Sequence, residues 1–341
     1  MVGTLFAQLK IKKGDVNMVT NGKTVMVIVG LLILGLTMSV SVSAEEFQVG
    51  ISQLVEHPAL DSSREGFIAG LEEAGFVEGE DVEFIVENAQ GDMSTAQTIA
   101  QRFDNQNLDL VLTIATPSAQ AAANVISETP VLITAVTDPV EAGLVESLDN
   151  PQGNITGTTD MNPVFDQLSL IKDFIPDLDS VGIIYNSGEV NSVVQVEIAR
   201  EAAEELDVEL KEATATNTSE VQLAASSVVN DVDAVYLPTD NTVASALPSI
   251  LNAAHQENVP VFASEGAMVE EGAVATKGID YFDLGFKTGE MAAKVLSGTP
   301  PSELPVAGAD SFNLTINKKT CEELNLEIPE KLLEEAVQVI E

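Results

Sequence analysis

From Phe47 onward, short apolar runs bounded by chain breakers alternate with longer stretches of helical spacing. The clearest run covers residues 131 to 136, with Pro130 before it and Asp138-Pro139 after it. A β-branched run of that length between breakers reads as a buried strand. Residues 47–51, 82–86, 108–114 and 155–160 read as strands of the same kind. Helices are expected between them at 58–74, 94–105 and 119–126. Pro58 suits the first helical turn, Gly75 is a natural stop, and Ser94 is the expected cap of the second helix. Beyond Asp160 the pattern repeats, with strands at 181–185, 208–210, 234–237, 259–263 and 273–279. Helices are expected there at 163–174, 190–205, 220–229, 243–256 and 281–296. Strands separated by helices of this length imply parallel sheets with right-handed crossovers. Two successive sets predict an α/β protein of two Rossmann-like lobes with a cleft between them. The turn-rich 149–154 lies near the expected crossing.

The front of the chain breaks this pattern. Lys10, Lys12, Lys13 and Lys23 precede an apolar run at 25–42, and Val42-Ser43-Ala44 supplies small residues before Glu45. That order predicts a secretory signal over residues 1–44, cleaved after Ala44. Met18 is an alternative start, because Met18 to Ala44 alone makes a normal-length signal. No cysteine stands at the cleavage point, which argues against a lipid anchor. The alternative is an uncleaved membrane anchor, since about 18 apolar residues can just span a bilayer. The expected location is periplasmic or extracellular.

At 341 residues and 45% hydrophobic, the chain is long enough for two globular domains. Its net charge is −39, and removing the four lysines and Asp15 of the leader leaves 11 basic against 53 acidic residues, −42. Such a surface repels nucleic acid and anionic membrane, which disfavours nucleic-acid binding. One cysteine rules out an internal disulfide or a multi-cysteine metal site, and two histidines rule out a histidine-rich centre. No cofactor is implied. No G-x-S-x-G, phosphate loop or H-E-x-x-H is present, and the expectation is a binding protein rather than an enzyme.

What the pattern supplies instead is polar residues just past strand ends, where open α/β sheets hold their ligands. In the first half these are Ser52, Gln53, His57, Thr116, Ser118, Thr137 and Asp138. In the second they are Asn186, Ser187, Glu189, Asp240, Asn241, Ser264, Glu265 and Asp280. Thr116-Pro117-Ser118 opens a helix whose free N–H groups would seat a carboxylate, unless the hydroxyls merely cap it. Asp240 is the expected acceptor for an α-ammonium, or else a cap for the helix after it. Glu265 and Asp280 carry the same ambiguity, one of them expected to be a plain turn residue, and Asp138 can simply initiate a turn. Trp is absent and aromatics are 4%, which disfavours a pyranose ligand relative to a small zwitterion. Tyr185, Tyr236, Phe165, Phe262 and Tyr281 lie near expected cleft loops and can serve either a pocket or the core.

One stretch carries a resemblance. TDPVEAGLVESLDNPQGNITG at 137–157 resembles a signature of the ABC-transporter substrate-binding proteins that include tryptophan- and tyrosine-binding members. HPALDSSREGFIAGLEEAGF at 57–76, ATPSAQAAA at 115–123, GTPPSELPV at 298–306 and LTINKKTCEELNLEIPEKLLEEAVQVIE at 314–341 look like the same family in the same order. The resemblance implies a type I periplasmic-binding-protein fold. It places lobe 1 at 45–157, completed by about 281–306, and lobe 2 at 158–280, completed by part of 307–341. It further implies an amino-acid ligand, aromatic or branched-chain, captured by a monomer and delivered to a permease with its ATPase. Two hinged lobes bridged by a ligand would shift toward closure. The rival expectations are a ligand-sensing cleft protein for a signalling receptor and a secreted enzyme using paired carboxylates such as Asp240 and Glu265. A LacI-type repressor core shares the architecture but starts with a helix-turn-helix rather than an export signal.

Overall fold

The computed structural model describes residues 46–341, so the leader reading for 1–44 lies outside the described residues. Within them, no helix is long and apolar enough to cross a membrane. The first lobe is built on β1 (Phe47–Gln53), β2 (Val82–Asn88), β3 (Leu110–Ile114), β4 (Val131–Val136) and β5 (Ile155–Thr159), interleaved with α1 (Pro58–Glu73), α2 (Met93–Asp104) and α3 (Thr116–Ala123). Its sheet runs β2-β1-β3-β4-β5 with every pair parallel. β3 and β4 are buried at every position because helices cover both faces, which is why they read as unbroken apolar runs. β1 extends two residues past its apolar run, since Ser52 and Gln53 still pair with Thr113 and Ile114. Asp92, not Ser94, caps α2, its carboxylate accepting from Thr95 N–H.

The second lobe holds α4 (Val164–Phe174), β6 (Ser180–Tyr185), α5 (Val190–Leu206), β7 (Glu209–Thr214), α6 (Thr218–Val228), β8 (Ala234–Leu237), α7 (Asn241–Ser245), α8 (Leu247–Gln256) and β9 (Val261–Ala263). Its parallel sheet runs β7-β6-β8-β9. Alternate residues serve opposite faces: Val181, Ile183 and Tyr236 join one core, while Ile184, Val235 and Leu237 join the other. The single helix expected at 243–256 is two, α7 and α8, interrupted at Ala246. Pro248 has no N–H to donate to a helical hydrogen bond and suits only the first turn of a new helix.

Five elements carry no clear apolar period and were not expected: α9 (Gly266–Glu270), β11 (Asn313–Asn317), α11 (Lys318–Glu323), α12 (Glu330–Glu335) and β12 (Gln338–Ile340). With β10 (Ala275–Gly278) they bring a small sheet, β10-β11-β12, whose β10–β11 pair is antiparallel rather than parallel. Between β10 and β11 the chain runs through α10 (Tyr281–Leu296). Leu284, Met291, Ala292 and Val306 sit in the core of the first lobe, whereas Leu314, Ile316, Cys321 and Leu332 sit in a core of the second.

Helix α10 is fixed to α1 by backbone contact. A Cβ on Gly66 or Gly70 would strike the carbonyl oxygens of Phe282 or Phe286. One on Gly285 or Gly289 would strike those of Ser63 or Phe67. The two G-x-x-x-G stretches, GFIAG and GFKTG, let the axes approach until only hydrogen atoms fit between them. This seam ties the returning helix to the lobe that carries His57 and Thr116.

Candidate functional site

The carboxyl ends of the strands from both lobes converge on one enclosed cavity. It is lined from the first lobe by Val55, His57, Leu60, Thr116, Ala135 and Thr137, and from the second by Asn191, Thr239, Asp240, Asn241, Ala244 and Glu265. Asp160 and Tyr281, on segments that pass between the lobes, complete the wall. The free space is about 20 Å³, close to the smallest volume that holds a water. Asn241 and Val55 also line a wider chamber of about 480 Å³ that includes Asn186 and Glu189.

The polar groups here are short of partners. Among the described residues, His57 Nε2, Thr116 Oγ1, Asp160 Oδ1 and Asn191 Oδ1 on this wall, and Ser118 Oγ two residues along α3, are buried with no hydrogen-bond partner. Buried polar groups are ordinarily paired, so such a concentration calls for a partner that enters the cavity. Helix α3 begins without a side-chain cap, after Ala115 at φ 81°. A non-glycine residue in that region is strained, and the conformation delivers the hydroxyls and the N-terminal N–H groups of α3 to the cavity. The capping role for Thr116 and Ser118 is therefore not what the structure shows.

The opposite charge faces them. Asp160 accepts through Oδ2 from Tyr281 Oη at 2.8 Å and leaves Oδ1 free. Burial raises its pKa above the ordinary carboxylate range, against hydrogen bonds from Tyr281 and Thr137. Glu265 is raised by burial too, with His57 pulling the other way. His57 accepts at Nδ1 from Ala59 N–H at 3.3 Å, which places its proton on Nε2, 3.7 Å from Glu265 Oε1. That gap is too long for a hydrogen bond. Neither Lys nor Arg lines the cavity or the chamber. The arrangement thus offers donors (Thr116, His57) beside a cluster of acceptors (Asp160, Glu265, Asn191).

Of the candidates named from sequence, the cavity gathers His57, Thr116, Thr137, Asp240, Asn241 and Glu265, and the chamber adds Asn186 and Glu189. Asp240 is not a free acceptor. It accepts from Asn186 N–H at 2.6 Å, Ser192 Oγ at 2.7 Å and Val243 N–H at 2.8 Å, capping α7. Burial and the Glu189 carboxylate raise its pKa. Glu189 is likewise saturated, taking Asn241 Nδ2 at 2.6 Å and Thr242 Oγ1 at 2.8 Å, and so fixes the loop that carries Asp240.

The rest line neither space. Ser52 is buried in β1, Ser118 is buried in α3, and Gln53 is consumed by Val55 O, Asp61 and Arg64. Asp138 turns the chain by accepting from Val140 and Glu141 N–H groups, and Ser187 is exposed in a turn. Ser264 is buried behind Glu265, and Asp280 caps α10 through Phe282 and Asp283 N–H groups. Of the aromatics, Tyr281 reaches the cavity. Tyr236 bonds Gln167, Tyr185 bonds Glu212, Phe262 packs on Phe174, and Phe165 is exposed. Asp160, Asn191 and Thr239 escaped the sequence reading, although Asp160 directly follows the buried strand β5 and obeys the same strand-end rule.

Known proteins share this architecture. A tyrosine-binding protein of Clostridioides difficile is 43% identical over 285 residues, covering 84% of this chain and 83% of that protein. A Streptococcus structure described as an ABC domain in complex with L-Trp is 38% identical. It superposes with a TM-score of 0.85 over 87% of this chain and all of that one. The ligand-free, open structure of a substrate binding protein with adhesive properties from Clostridium difficile is 44% identical, covering 86% of this chain and 99% of that one, yet its TM-score is 0.68. The nearer sequence gives the poorer superposition, so the whole chain superposes better on the structure holding L-Trp than on the open one. A more distant binding protein from Bacillus halodurans with bound myo-inositol, at 18% identity and a TM-score of 0.60 over 83% of this chain and 97% of that one, shares the fold. Residues 48–340 match the family described as ABC transporter substrate binding protein. Two α/β lobes closing strand ends over a polar cavity, and a family match that spans both of them, lead to one assignment: the chain belongs to the ABC transporter substrate binding proteins.

Proposed function

We propose that this protein is the extracytoplasmic binding component of an ABC importer and that it captures a free α-amino acid, aromatic in side chain, for a membrane permease. The observation that carries the reading is the set of unpaired buried groups from both lobes in one cavity. Thr116, His57 and the start of α3 supply donors for an α-carboxylate. Asp160 Oδ1, Glu265 and Asn191 Oδ1 supply acceptors for an α-ammonium. No hydrogen bond among the described residues joins His57, Thr116 or Thr137 directly to Asn191, Asp240 or Glu265. A zwitterion would make those links, adding contacts that exist only when the lobes are together, and would thereby shift the population toward closure. The free space is too small for an amino acid to enter without the lobes parting. The aromatic preference rests on the relatives, one named for tyrosine and one holding L-Trp.

Titration calorimetry on the protein from Glu45 onward tests the reading with L-tyrosine, L-tryptophan, their N-acetyl and amide forms, and a sugar. Heat from the free amino acids and none from the blocked forms or the sugar is the expected pattern. Binding of the N-acetyl form as tightly as the free amino acid would remove the ammonium from the account.

A further inference from the structure

Taking the zwitterion site as proposed above, we infer that the adjoining chamber receives the ligand's side chain between Met93 and Thr218, which line it from opposite lobes. The buried cavity and the chamber meet at Val55 and Asn241, and their sizes differ greatly, about 20 against 480 Å³. The polar groups that suit a head group surround the first. The second is within the usual size of a small-molecule pocket, roughly 300–1,000 Å³.

The chamber is two-sided in chemistry. Leu54, Pro117 and Met93 give its first-lobe wall an apolar surface, and Met93 stays 43% exposed, unusual for a side chain of that type. A thioether beside an aromatic ring is a favourable contact. Thr216, Asn217 and Thr218 form the facing wall at the start of α6 and offer hydroxyl and amide groups to a polar ring substituent. Gln90 at φ 54° and Gly91 at φ 75° bend the loop that brings Met93 to the mouth. Gln90, Asn217 and Thr218 are all exposed, so the chamber opens to solvent at its outer end. A side chain that extends outward, as in a para-substituted phenol, meets open space there rather than packed core. Because the walls belong to different lobes, a ring in the chamber adds to the contacts that favour closure.

The experiment compares L-tyrosine and O-methyl-L-tyrosine by calorimetry on the wild type and on Met93→Trp and Thr218→Trp. Both positions are exposed, so the variants should fold, and their unliganded melting curves check this. The expected result is comparable affinity of the wild type for the two ligands. Each variant should lose roughly tenfold or more for both, as overpacking a filled space does. Wild-type binding that neither tryptophan weakens would overturn the inference and leave the head-group reading standing. Failure of the wild type to bind either amino acid would overturn the head-group reading, and this inference with it.

Discussion

Replacing Thr116 by valine separates a ligand-binding hydroxyl from a capping one more cleanly than any other single change. The two side chains have the same shape, so packing around α3 is preserved, and what disappears is one hydroxyl. With the lobes together and the cavity empty that hydroxyl is buried and unpaired, which costs about 1–3 kcal/mol; with the lobes parted, water solvates it. Its removal should therefore leave the unliganded melting temperature unchanged or raise it. In the complex the same hydroxyl donates to a carboxylate, an interaction worth about 1.5–3 kcal/mol, so affinity for L-tyrosine should fall by about 10- to 150-fold. A cap behaves in the opposite way: losing it would cost about 1 kcal/mol of stability, and ligand affinity would not change. Calorimetry gives the affinity, and differential scanning fluorimetry without ligand gives the stability. A lowered melt with unchanged affinity would refute the reasoning.

Other expectations follow from the same geometry. Asp240→Ala strands Asn186 N–H, Ser192 Oγ and Val243 N–H, so the unliganded protein should lose at least about 2 kcal/mol; a melt close to wild type would show that these bonds contribute little. Gly285→Ala sets a methyl against Ser63 O in the α1–α10 seam and should cost about 1–3 kcal/mol. Gly308→Ala, whose methyl would meet only Thr159 Cγ2 at 3.9 Å, should stay within about 0.5 kcal/mol, and chemical denaturation compares the two. The pH dependence has opposite signs with and without ligand. Burial raises the pKa values of Asp160 and Glu265, so their contribution to the unliganded fold is complete below the ordinary carboxylate pKa and is lost as pH rises through the raised values. Ammonium capture needs them ionised, so tyrosine affinity should rise over the same window, and Asp160→Asn with Glu265→Gln should bind weakly with a flat profile.

Much of the fold was legible because most strands are covered on both faces and announce themselves as apolar runs. β7 runs four residues beyond the expected 208–210: it is an edge strand, ELKEAT, whose polar side chains face solvent. β11 and β12 left no period because they are short and β12 is only partly buried. The strand-end rule located half of the cavity, yet it could not say which carboxylate was already satisfied. Asp240 and Asp160 both end strands. Asp240 is enclosed by three donors brought from residues 186, 192 and 243, while Asp160 keeps one oxygen free. That difference depends on contacts between segments distant in sequence, which a strand-by-strand reading does not contain. The same holds for Tyr281, which begins a helix of the first lobe's core and reaches back to Asp160. The glycine pairs of α1 and α10 were visible as letters, but their meaning appears only when the two helices are laid together.

Small-angle X-ray scattering of the protein from Glu45 onward, with and without saturating L-tyrosine, tests most directly whether an amino acid draws the lobes together. The account predicts a smaller radius of gyration in the presence of the ligand, and a liganded curve that fits the closed arrangement described here. Calorimetric saturation accompanied by an unchanged scattering curve would contradict it.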